Sequence, residues 1–371
     1  MFVIFFMGLA QAAPIFRKSL LDSEFDFFDS IKNNDFEKTT KMIENGHPID
    51  RVLLKDNLQT SPLYLAAYYG DSELVKFLLK HGADPNKIDE YFKETPLITA
   101  VKKRKKDIIK ILIENKANIH LNMDKNKNNN ALYIATSMND LDMVKYLVDL
   151  GYDLNTTLNQ KDWSPLDIAI MGDYKDIFEF FLSKKAFFNH QLEGEGNSLN
   201  VALTMYAKDM ALALIEKGIN LNIKAKEKDD HPPIYMALLL QDFDIVKKLV
   251  AHGADFKNFR KRITRTDGGF HEEKCISVLN YSIGLRKNKE DSEILKFLLE
   301  SGANPNPPSD IKCASPLSYI VFKKRPDMVD ILLKHGANPY HEDEGGKNSF
   351  EYARLQRNTE IIKLLEDWKR K

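Results

Sequence analysis

The chain has 371 residues, and its 54 basic and 54 acidic side chains cancel to a formal net charge of zero. That balance supplies no whole-chain field for nucleic acid or an anionic surface. Beyond residue 14 no apolar run approaches the roughly 18 residues of a membrane span.

Read in chain order, the first feature is MFVIFFMGLAQAAP, Met1 to Pro14. An apolar run from Phe2 to Leu9 leads into Ala10-Gln11-Ala12-Ala13, an A-x-A cleavage pattern. Residues 1–13 are therefore expected to be an export signal, which would place the protein in the periplasm or outside the cell. No Lys or Arg precedes the apolar run and the segment is short, so the alternative is an apolar arm packed on the first structural unit of a cytoplasmic protein.

The clearest element follows at SPLYLAAYYGDSELVKFLLKHGADPN, Ser61 to Asn86. Ser61 can cap a helix that Pro62 opens, because its hydroxyl accepts from N–H groups that lack partners in the first turn. Leu63 to Tyr69 form a short helix ending at Gly70, and Asp71 can cap a second. There Leu74, Val75, Leu78 and Leu79 share one face. Gly82 stands where a left-handed residue ends that helix, and Pro85 prevents its continuation. Isolated helices shorter than about 12–15 residues are marginal in water. Such a hairpin needs neighbours.

The neighbours are copies. The position of Pro62 recurs as Pro96, Ala131, Pro165, Ser198, Pro233, Val278, Pro316 and Ser349, at intervals of 34, 35, 34, 33, 35, 45, 38 and 33 residues. Four places later stands a small residue (Ala66, Ala100, Ala135, Ala169, Ala202, Ala237, Ser282, Ala353), broken only by Ile320. The turn glycine recurs from Gly46 to Gly336, with Lys116 and Lys185 as exceptions. SPLYLAA, TPLITAV, SPLDIAI and SPLSYIV, with KHGADPN, AHGADFK, ESGANPN and KHGANPY, resemble the opening and closing phrases of the ankyrin-repeat family. The resemblance implies an all-α solenoid of about ten helix-turn-helix units. Residues 24–371 are expected to form one domain, with divergent, more polar units capping both ends. The family's histidine after T-P-L is replaced by Tyr64, Ile98, Tyr133, Asp167, Asn200, Tyr235, Asn280 and Ser318. This departure implies turns that are looser or differently braced.

Residues excused from stacking are the candidates for recognition. In the family these lie on turn tips and on the exposed face of the first helix, so Tyr64, Tyr68, Tyr69, Tyr91, Phe92 and Trp163 are expected at a partner interface. Packing against an adjacent turn is the other role open to Trp163. About eleven extra residues precede Val278, and KNFRKRITRTDGGFHEEKC, Lys257 to Cys275, reads as a finger-like insertion with D-G-G at its tip. Arg260, Arg262 and Arg265 on its outward arm would meet an acidic partner, or pair with Glu272 and Glu273 on the return. The basic run Lys102 to Lys106 reads as a solvated helix end, since no aromatic residue interleaves it. Cys275 and Cys313 fall at equivalent places in adjacent units and form a disulfide only if the turns bring them closer than the repeat spacing does. Nothing in the chain matches the phosphate, dinucleotide, zinc-protease or nucleophile-elbow motifs, so no enzyme, metal or cofactor is expected.

The expectation is a monomeric, non-catalytic module that masks or stabilises a protein partner. If exported, it would be an immunity protein neutralising a secreted toxic enzyme. The alternative is an effector or scaffold acting inside another cell.

Overall fold

The computed structural model describes residues 25–50, 52–53, 59–89, 92–119, 130–155, 163–190, 196–222, 232–257, 260–265, 271–282, 290–307 and 314–370. The export-signal segment lies outside them. Two compact units, Met1–Ala186 and Phe187–Lys371, each contain five helical hairpins.

In the first unit the hairpins are α1 (25–32) with α2 (Phe36–Glu44), α3 (Pro62–Tyr69) with α4 (Ser72–Lys80), and α5 (Pro96–Lys102) with α6 (Lys106–Glu114). They continue with α7 (Ala131–Ser137) and α8 (Leu141–Asp149), then α9 (Pro165–Met171) and α10 (Lys175–Ser183). The second unit holds α11 (Ser198–Thr204) with α12 (Lys208–Glu216), and α13 (Pro233–Leu239) with α14 (Phe243–Ala251). Its remaining pairs are α15 (Val278–Tyr281) with α16 (Glu290–Glu300), α17 (Pro316–Phe322) with α18 (Pro326–Lys334), and α19 (Ser349–Leu355) with α20 (Thr359–Lys369). First helices stack on first helices (α3, α5, α7 and α9; then α11, α13, α15, α17 and α19). Each unit is thus a helical repeat solenoid. Two antiparallel ribbons accompany the helices: β1 (Val52–Leu53) with β2 (Gln59–Thr60), and β3 (Arg260–Arg265) with β4 (His271–Ile276).

Local chemistry starts and stops each helix where the sequence places it. Ser61 Oγ accepts from the Tyr64 N–H at 3.1 Å, and Asp71 Oδ1 from the Leu74 N–H at 2.9 Å. Gly82 closes α4 at φ 94°. The column of small residues is buried throughout, from Ala66 to Ala353, and Ile320 is buried as well. A larger side chain there would push neighbouring hairpins apart.

Polar clips join the turns, and these were not anticipated. Asn86 accepts from the Asn118 N–H (2.7 Å) and donates to the Lys116 carbonyl (3.2 Å), so one side chain fastens its own turn to the next. Asn222 does the same for Asp255 and Gly253, and Asn306 for Asn338 and Gly336. The missing histidines are compensated locally. Asp167 Oδ2 accepts from both the Ser164 N–H (2.8 Å) and its hydroxyl (2.7 Å). Ser318 Oγ lies 3.1 Å from Ser315 Oγ and 3.0 Å from Ser349 Oγ in the following hairpin. These turns are differently braced, not loose.

Lys116 adopts φ 67°, where most hairpins place glycine and Lys185 is the other exception. A Cβ in the left-handed region costs on the order of 1 kcal/mol. Lys116→Gly should therefore raise stability by up to about 1 kcal/mol, read as a higher urea midpoint at unchanged slope.

Candidate partner-binding surface

The tip after α4 is built around a carboxylate. Asp89 is buried, and its side chain accepts from the Phe92 N–H at 2.6 Å and from the Thr60 hydroxyl. Its backbone N–H donates to the Glu94 carbonyl at 2.8 Å. This closed turn holds Phe92 over hairpin α3–α4. The Phe92 ring stacks on Tyr64 with centroids 5.3 Å apart and planes 17° apart, and lies 6.4 Å from Tyr68. Tyr69 meets Tyr68 edge-on at 5.1 Å.

The four rings have different roles. Tyr64 is 1% exposed, which corrects its expected place on the groove surface. It follows the helix-opening proline by two positions, a place directed into the stack, and there it supports Phe92. Burial pushes its phenol above the ordinary value, so it stays neutral. Tyr68 and Tyr69 are half-buried, while Phe92 is 44% exposed. Tyr91 lies outside the described residues.

Trp163 is half-buried with its indole Nε1 inside, so the residue belongs partly to the packing of its turn. Arg260, Arg262 and Arg265 occupy β3. The ribbon register sets Arg262 opposite Lys274 and Arg265 opposite His271, while Glu272 and Glu273 oppose Thr264 and Ile263. No glutamate of the return strand is thus directly across from an arginine. Cys275 is opposite Lys261 on β4, and Cys313 lies outside the described residues.

A second group of exposed apolar residues escaped sequence reasoning. Leu239, Phe322 and Leu355 each stand six places after the residue that opens their first helix. Met205 and Tyr206 are exposed just beyond α11. The signal was present as a column: the ends of α13, α17 and α19 are free of stacking duty and carry Leu239, Phe322 and Leu355.

The turn below Phe322 is anchored by an ion network that also had no sequence signature. Arg325 Nη1 donates to Asp291 Oδ2 at 2.6 Å, and its Nε and Nη2 donate to the two oxygens of Asp327 at 3.0 and 2.8 Å. Gln241 Nε2 donates to Asp291 Oδ1 at 3.1 Å. Three consecutive hairpins are tied at one point, and both Arg325 and Asp291 are buried. The guanidinium holds the Asp327 carboxyl down to about 2. Among the described residues no cluster of potential ligands could hold a metal ion, and no helix is long and apolar enough to cross a membrane.

Comparison with known proteins follows the same lines. Residues 27–123, 63–158 and 120–192 match the family model described as ankyrin repeats (3 copies). An ankyrin repeat protein of Acanthamoeba polyphaga mimivirus is 26% identical over 173 residues, 43% of this chain and 44% of that protein. One from Fowlpox virus is 30% identical over 158 residues, 42% of this chain and 46% of the relative. The chain therefore spans less than half the length of these two relatives. Among solved structures, the ankyrin repeat domain of Bcl-3, titled a unique member of the IkappaB protein family, aligns with a TM-score of 0.51. That alignment has 19% identity and covers 60% of this chain and 96% of the other, which establishes likeness of fold.

Arg325→Met should lower stability by about 3–5 kcal/mol, because it removes a buried cation that pairs with both Asp291 and Asp327. Asp327 contributes stability above its unfolded value near 3.8, and that contribution is lost as pH falls toward about 2. Urea midpoints measured down that range should fall less steeply for Asp327→Asn than for the parent chain.

Proposed function

Because the chain carries ankyrin repeats, and such repeats bind protein partners, we infer that it is a non-catalytic module that masks or steadies one protein. The observation that supports this is the contrast between its faces. The helix-opening and small-residue columns are buried, yet Phe92, Leu239, Phe322 and Leu355 remain exposed at loop tips and first-helix ends. Exposed apolar groups held on a rigid frame are the usual anchors of an interface, since their rotamers are already restricted before binding. The mechanism is steric: the repeats cover the partner's working surface and need no chemistry of their own.

Two settings are proposed for it. Met1 to Ala13 supports export, and with it an immunity protein that neutralises a secreted toxic enzyme outside the cytoplasm. The likeness to ankyrin repeat proteins of two viruses supports the other setting, an effector or scaffold working inside a host cell. Mass spectrometry of the protein recovered from its native host separates them. A mature chain starting at Ala13 or Pro14 favours export, and an intact Met1 on a cytosolic protein favours the effector.

The combined substitution Phe322→Ala and Leu355→Ala should weaken capture of the native partner by about tenfold or more, while stability stays within about 0.5 kcal/mol because both side chains face solvent. Loss of fold with no separate loss of binding would refute this use of the surface.

A further inference from the structure

The basic run Lys102 to Lys106 has no aromatic residue within it, yet the fold brings aromatics to it from a different hairpin. Lys103 Nζ lies 3.9 Å above the centre of the Tyr68 ring. Lys105 lies across the α3–α4 turn: a Cβ added at Gly70 would stand 2.7 Å from its Cε and 2.9 Å from its Nζ. One ammonium group is therefore delivered onto Tyr68 and a second to the adjoining α3–α4 turn, in the hairpin on which the exposed Phe92 ring stacks.

The neighbouring charges are not all alike. Lys102 pairs with Glu94, and Arg104 Nε lies 2.9 Å from Asp140 Oδ2, so these two are largely neutralised. Among the described residues, no acidic group lies within ion-pair distance of Lys103, Lys105 or Lys106. All three are exposed. The zero net charge of the chain thus conceals a local excess of positive charge, with Lys103 on the Tyr68 ring and Lys105 across the α3–α4 turn, while Lys106 Nζ lies 5.8 Å from the centre of the Tyr146 ring of the following hairpin.

We propose that this juxtaposition is a docking site for an acidic segment of a protein partner that carries one large apolar or aromatic anchor. The proposal rests on the binding-module reading above and names its contact and its chemistry. The anchor seats on the outer surface of Phe92, and the carboxylates beside it meet Lys103 and Lys105. Single-stranded nucleic acid fits less well. Binding of that kind needs successive open ring faces along a basic track, whereas Tyr64, Tyr68 and Phe92 are nearly parallel and stack on one another. That arrangement leaves one step for an anchor, not a series. Phe92 is held in place by Asp89 before any ligand arrives, which reduces the ordering cost of binding.

The test uses the full chain and a short labelled peptide of aspartate and glutamate around a central tryptophan, followed by fluorescence anisotropy. Controls are the same peptide with alanine for tryptophan, a lysine-rich counterpart and a short oligothymidylate. The acidic tryptophan peptide should bind best and should weaken with rising salt. Phe92→Ala and, separately, Lys105→Glu should each raise its Kd by about tenfold or more, with Phe322→Ala neutral. Both substitutions are at exposed positions, and circular dichroism confirms that each variant is folded. No binding of the peptide, equal binding of the lysine-rich peptide, tighter binding of the oligothymidylate, or indifference to both variants would each overturn the proposal. Capture of the native partner that survives Phe92→Ala and Lys105→Glu, yet is lost with Phe322→Ala and Leu355→Ala, would overturn this site and leave the binding-module reading intact.

Discussion

A hairpin of this chain has nowhere to bury its apolar face except against the next hairpin. Most of the helices are seven to nine residues long, well short of the roughly 12–15 residues at which a helix stands alone in water. Stability therefore resides in the interfaces between units and accumulates along each stack. From this constraint follow the buried column of alanines, the regular spacing, and the tolerance of variety everywhere the stack is not touched. Even the one bulky member of that column, Ile320, is fully enclosed.

Turns that must lie side by side need their backbone groups satisfied, and short polar side chains do this across unit boundaries. Asn86, Asn222 and Asn306 each accept one N–H from the next unit and donate to one of its carbonyls. One side chain supplies both bonds because an amide is at once donor and acceptor. Where the opening turn lacks histidine, Asp167 and Ser318 form bonds of their own to the residue that caps the helix. The Arg325 network serves the same end with formal charge. It is worth most as a constraint on geometry, since taking two ions out of water offsets much of their attraction.

What the stack leaves unused is available for recognition, and the two units supply it differently. In the first, a buried carboxylate presents a ring on a ledge of other rings beside cations from the neighbouring hairpin. In the second, Leu239, Phe322 and Leu355 stand at the ends of α13, α17 and α19. Both present rigid apolar anchors with polar surroundings, the arrangement that concentrates binding energy in a few contacts.

Residue order alone determined the repeat length, the hairpin boundaries, the stacking columns and the caps, because these depend on local propensity and on a periodicity that one strand of text displays in full. Ser61, Asp71 and Gly82 could be assigned their capping roles unaided, since each acts on backbone within a few positions of itself. Tyr64 could not be placed, because burial at its position depends on what the neighbouring unit contributes. Only the tertiary structure decided that Lys103 belongs with Tyr68 and Lys105 with Gly70, or that Arg325 belongs with Asp291. These partners are separated along the chain by about one repeat or less, yet they meet through hairpin stacking, a contact between surfaces that no spacing within a single hairpin encodes.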